Sequence, residues 1–90
     1  MPAYLVVVRG LPAQVIELSR GSVTVGRAED AGIVLAHPEV SRQHCRITWD
    51  GNVAAIEDLG STRGTAVNGA RIYTLTALNS GDKLEIGPAT

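Results

Sequence analysis

Three short runs of this chain carry side chains suited to gripping an anion: Gly26-Arg27, Ser41-Arg42-Gln43-His44 and Ser61-Thr62-Arg63-Gly64-Thr65. Each falls on a turn between apolar, strand-like segments. A phosphorylated hydroxyl residue brings roughly −1.5 to −2 charges at pH 7 and three acceptor oxygens, so its receptor must supply several donors without leaving a charge unpaired. Arg27, Ser41, Arg42 and Thr62 offer that mixture: guanidinium groups for charge-assisted bonds and hydroxyls for directed ones. Three loops meeting at one end of a β-sandwich would bring them together around a phosphate.

The segments that must position these loops read as short strands. Leu5 to Val8 is an apolar, β-branched run ended by Gly10 and Pro12, expected to be buried on both faces, with Val15-Ile16-Glu17-Leu18 as its hairpin partner. Val23-Thr24-Val25 alternates and ends at Gly26. Ala28 to Gly32 lacks the 3.6-residue apolar stripe of a stable helix and is assigned to a loop. Ile33-Val34-Leu35 is a brief strand, and His37-Pro38 marks a turn. The next strand places Cys45, Ile47 and Trp49 on one face and Arg46 and Thr48 on the other, ending at the hairpin signal Asp50-Gly51. Val53 to Leu59 returns as its partner. Thr65-Ala66-Val67 and Arg71-Ile72-Tyr73 flank the tight-turn dipeptide Asn68-Gly69, and Ala77-Leu78 and Leu84-Glu85-Ile86 complete an all-β pattern. Asp58 and Asp82 are read as carboxylates that fix their own loops.

Composition narrows the function classes. Ninety residues fit one domain, so residues 1–90 are read as a single module, part of a longer protein. Hydrophobic residues make up 44%, yet only Tyr4, Trp49 and Tyr73 are aromatic, so the core must be aliphatic. A formal net charge of −1 and so few stacking rings argue against nucleic acid as a partner. Seven of the eight basic residues are Arg, whose planar fork suits paired bonds to phosphate. Cys45 is the only cysteine; it cannot form an internal disulfide and is read as a small buried hydrophobe. With no signal-peptide pattern and no apolar run of ~18 residues, the expected setting is cytoplasmic and away from membranes.

In order along the chain, Gly26-Arg27, Ser41 with His44, Ser61-Thr62-Arg63-Gly64-Thr65 and Asn68-Gly69 resemble the motif set of the forkhead-associated (FHA) domain, and Gly81 to Gly87 resembles its closing strand. The resemblance implies an FHA-like β-sandwich of two antiparallel sheets with the binding loops at one end. Its last strand, which in the family pairs near the N-terminal one, would fall beyond Thr90, either trimmed from a longer protein or leaving an edge open. It also implies a phosphothreonine-containing protein or peptide as partner, in Ser/Thr kinase signalling, with phosphothreonine preferred over phosphoserine. Arg27, Ser41, Arg42, Thr62 and Arg63 would then contact the phosphopeptide. Gly26, His44, Gly64, Asn68 and Gly69 would shape the loops, His44 from beneath them. Arg63 stands where the family has an asparagine that binds the peptide main chain. Its charge is expected to shift preference toward acidic flanking residues.

Other readings fit the residues less well. Ser41, His44 and Asp58 name a hydrolase triad without a nucleophile elbow, and Gly60 to Thr65 lacks the Gly-Lys-Ser/Thr ending of a nucleotide-binding loop. His37, His44 and Cys45 do not have zinc spacing. No catalytic residue, metal or cofactor is therefore expected. The main rival is a phosphate-independent assembly module that uses a sheet face or an open edge strand; the oligomeric state is left open.

Overall fold

Strict alternation makes Cys45–Trp49 a strand with two unlike faces: Cys45, Ile47 and Trp49 are buried, while Arg46 and Thr48 are exposed. The computed structural model describes residues 5–9, 14–17, 20–79 and 81–86. Its strands, in chain order, are β1 (Leu5–Arg9), β2 (Gln14–Glu17), β3 (Gly21–Gly26), β4 (Ile33–Val34), β5 (Cys45–Trp49), β6 (Ala54–Asp58), β7 (Thr65–Val67), β8 (Ala70–Arg71), β9 (Thr76–Leu78) and β10 (Lys83–Ile86). They form two five-stranded sheets, ordered β2-β1-β10-β7-β8 and β4-β3-β5-β6-β9. The expected turn at Gly10 and Pro12, the end of the second strand at Leu18, and anything beyond Ile86 lie outside the described residues, as does the side-chain burial of β1.

The sandwich follows the expected plan, but its sheets are mixed rather than wholly antiparallel. β1 runs parallel to β10, with Val8 opposite Leu84, and β4 runs parallel to β3, with Val25 opposite Ile33. Alternation along a strand reports which face is buried and carries no information about the direction of a neighbour. The loop between β3 and β4 doubles back beside β3 before the chain turns up again. At Gly32 a β-carbon would lie 2.4 Å from Cγ2 of Val23. Because β10 sits between β1 and β7, it is not an open edge; the outer strands of the two sheets are β2, β8, β4 and β9.

Between the sheets lies an aliphatic core. Val67, Leu84 and Ile86 face in from one side, and Val25, Ile47, Ile56 and Leu78 from the other. Each fully buried side chain of this kind contributes about 1.5–3 kcal/mol. Three core members lie outside the strands, Leu35, Val40 and Ile72; the first two, 3% and 1% exposed, pin the long connection between β4 and β5 to the interior. Val40 immediately precedes Ser41, so the apolar anchor sets the position of that loop. The hairpin from β7 to β8 turns at Asn68-Gly69 with φ of 52° and 86°, the double positive that a two-residue turn between twisted strands requires. Tyr73 departs from the expected strand. β8 ends at Arg71, and Tyr73 is 80% exposed.

Candidate functional site

The first of the three loops begins where β3 ends. At Gly26 a β-carbon would lie 2.0 Å from the carbonyl oxygen of Arg42 and 3.1 Å from the α-carbon of Gln43, so only glycine lets the second loop pass this closely. The two loops are then laced together. Arg27 N–H donates to the Ser41 carbonyl at 3.0 Å and Ala28 N–H to that of Arg42 at 3.2 Å. The Arg27 side chain is tied as well, its Nε donating to the Val40 carbonyl at 3.0 Å. That bond uses one of the guanidinium's N–H groups and orients the fork through a residue rooted in the core.

His44 joins the second loop to the third. The ring is completely buried; Nδ1 accepts the Ser41 N–H at 3.0 Å and Nε2 donates to the Gly64 carbonyl at 2.7 Å. These partners fix the neutral tautomer with its proton on Nε2. The main chain of His44 is held too, by the Val25 carbonyl on one side and the Leu59 N–H on the other. Loops two and three also meet directly, where Ser41 Oγ accepts the Thr62 N–H at 3.1 Å.

Asp58, at the end of β6, organises the third loop from within. One carboxylate oxygen accepts the N–H groups of Gly60 and Ser61, each at 3.0 Å. The other accepts the hydroxyls of Ser61 and Thr65, at 2.5 and 2.8 Å. Ser61 Oγ in turn accepts the Gly64 N–H at 2.9 Å, closing the loop on itself. Partial burial pushes the pKa of Asp58 up, but the bonds from the Ser61 and Thr65 hydroxyls and the Ser61 N–H outweigh it and hold the carboxyl below its ordinary value. Asp82 does comparable work at the far turn, accepting from Asn79 N–H and from Asn68 Nδ2.

Arg27, Ser41, Thr62 and Arg63 line one shallow depression of about 200 Å³ with Pro38, Glu39 and Val40. Arg42 lies beside it, in a more open hollow that it shares with Arg27, Ala28, Glu29 and Asp30. Asn68 sits elsewhere: its side chain ties the β7–β8 turn to Asp82 and to the Lys83 N–H. Gly64 and Gly69 border a separate groove that reaches the depression through Arg63.

Sequence reading missed Glu39, whose carboxylate pairs with Arg63 Nη2 at 3.0 Å across the depression. The available signal was charge complementarity: Glu39 is the one acid between Ile33 and Trp49, facing a cation that the motif does not call for. Arg63 is thus paired within the chain, by an ion pair whose two side chains remain partly exposed.

The three side chains that could be named as a hydrolase triad are engaged elsewhere. Both ring nitrogens of His44 are engaged by main-chain groups, and Nδ1 takes the N–H of Ser41 rather than its hydroxyl. Asp58 is turned toward Ser61 and Thr65. Ser41, His44 and Asp58 therefore do not form a nucleophile, base and orienting acid. Among the described residues no three His, Cys, Asp or Glu side chains gather as metal ligands, and no helix is long and apolar enough to cross a membrane.

Comparison with known proteins gives a consistent result. The family model described as the FHA domain matches residues 23–87. The "FHA domain-containing protein FhaA" of Mycobacterium tuberculosis is 44% identical over 71 residues, which are 79% of this chain and 13% of that protein. FhaB of the same species is 39% identical over 85 residues, 93% of this chain and 55% of that protein. This chain therefore spans about half or less of the curated relatives it matches. A structure solved in a study of phosphothreonine-dependent FHA domain interactions superposes with a TM-score of 0.79 at 40% identity, covering 92% of this chain and 84% of that one.

Proposed function

This chain belongs to the FHA domain family, and we propose that it is a phosphothreonine-reading interaction module in Ser/Thr kinase signalling. The observation that carries the proposal is that Arg27, Ser41 and Thr62, from three different loops, line a single depression. In this reading the Arg27 fork, already steered by Val40, supplies the charge-assisted bonds to the phosphate. Ser41 Oγ accepts a bond from Thr62 N–H, which leaves its own proton to donate to a phosphate oxygen. The Thr62 hydroxyl and the Arg42 main chain and guanidinium complete the donor set. Arg63, steadied by Glu39, contacts the peptide beside the phosphate. Gly26, His44, Gly64, Asn68 and Gly69 shape the loops.

The module binds and performs no chemistry of its own. It acts in the cytoplasm, as one domain of a longer protein, a reading supported by its matching 13% of FhaA and 55% of FhaB. The ligand is a phosphorylated segment of a partner protein.

Titration with phosphothreonine peptides and their unphosphorylated counterparts tests the reading. Binding should require the phosphate, weaken as salt rises, and weaken again as pH falls through about 6, where the phosphate takes up a proton. Matched phosphoserine peptides should bind less tightly. Binding indifferent to phosphate, salt and pH would instead indicate an assembly surface.

A further inference from the structure

A second groove, of about 230 Å³, opens on the other side of Arg63. Its floor is the outward face of three strands: Arg71, Ala66 and Glu85 stand in register across β8, β7 and β10, while their neighbours Thr65, Val67, Leu84 and Ile86 point into the core. Ala66 in the middle of that row keeps the floor low. Arg71 supplies a positive charge and Glu85 a negative one, while the charge of Arg63 at the shared wall is matched by Glu39.

Arg71 is held in place without being neutralised. Its guanidinium lies 5.5 Å from the centre of the Tyr73 ring and packs over Gly64, where a β-carbon would come within 2.5 Å of Nε. Among the described residues it has no carboxylate partner; the ion pairs there are Arg46 with Glu57 and Arg63 with Glu39. A guanidinium fixed by a ring and a glycine, with its charge unmatched, loses little freedom on meeting an anion. Gly64 also links this groove to the depression, because its carbonyl is the one that His44 holds while gripping Ser41.

We propose that this groove is a second anion subsite, taking an acidic or phosphorylated side chain that lies near the phosphothreonine in the same partner segment. The shared wall at Arg63 makes the two sites continuous, so one extended peptide spans both. The proposal rests on the phosphothreonine reading above and adds a specificity determinant, Arg71, outside the resembled motif.

The test is a series of phosphothreonine peptides with alanine at every flanking position. Each position in turn is replaced by aspartate in one arm and by phosphoserine in the other. One position, or two adjacent ones, should gain about three- to fivefold in affinity, the size expected of a partly exposed charge pair. A gain in both arms assigns the site to anions at large, and a gain in the phosphoserine arm alone to a second phosphate. In Arg71→Gln the ratio of acid-bearing to alanine-flanked affinity should fall toward one, and in Glu85→Gln it should rise. A flat profile, or a ratio unchanged by Arg71→Gln, overturns the second subsite while leaving the phosphate reading intact. Failure of every phosphothreonine peptide to bind overturns both.

Discussion

Replacing His44 by phenylalanine keeps a ring in a fully buried position and removes both of its side-chain hydrogen bonds. The Ser41 N–H and the Gly64 carbonyl then lose their partners inside a packed region. Each abandoned group costs about 1–3 kcal/mol, so the substitution should destabilise the domain by roughly 2–6 kcal/mol. Against the 5–15 kcal/mol typical of a whole domain, that is a large share. Denaturant melts monitored by two probes would measure it, and the thermal midpoint should drop by about 4–8 °C for each kcal/mol lost. Under conditions where the variant is still folded, affinity for a phosphothreonine peptide should fall about tenfold, because two loops lose their common strut although no group aimed at phosphate has changed. His44→Ala separates bonding from packing. If the hydrogen bonds dominate, phenylalanine already incurs most of the alanine loss. A phenylalanine variant as stable as the parent, beside a much weaker alanine variant, would show that the ring acts by filling space and would refute the reasoning.

Other expectations concern the frame around the loops. Gly26→Ala would put a β-carbon 2.0 Å from the Arg42 carbonyl oxygen, so the second loop must move; a loss of about 1–3 kcal/mol in a thermal melt is expected, with weaker phosphopeptide binding. The pKa of Asp58 lies below its ordinary 3.8, so its contribution is complete above that value and is lost as pH falls through the lower, folded-state pKa. Acid unfolding curves of Asp58→Asn should accordingly be flatter in that range than those of the parent. Burial, with the charge of Asp58 adding to it, pushes the Cys45 thiol up to about 12, so alkylating reagents at mildly alkaline pH should label it only after unfolding, by mass spectrometry.

Much of the fold could be read from residue order because the relevant physics is local. The alternation through Cys45, Ile47 and Trp49 identifies a two-faced strand, and Asp50-Gly51 and Asn68-Gly69 mark hairpins through backbone angles that few residues tolerate. The loop-fixing reading of Asp58 and Asp82 was likewise available, since a carboxylate satisfies donors two or three residues away. What escaped is non-local. The parallel pairings of β1 with β10 and β3 with β4 depend on partners whose direction no periodicity encodes. The Arg63–Glu39 pair joins residues 24 apart, and Arg71 acquires its setting only when β8 lies beside Gly64. Tyr73 looked like strand because aromatic residues favour strands, yet β8 ends two residues earlier.

The central claim is that Arg27 acts on the phosphate itself rather than on the peptide at large. The direct measurement is a cycle of four affinities: parent and Arg27→Ala, each with a phosphothreonine peptide and its unphosphorylated twin. The substitution should weaken the phosphorylated peptide at least tenfold more than the unphosphorylated one. Equal losses for both peptides, or none for either, would contradict the claim.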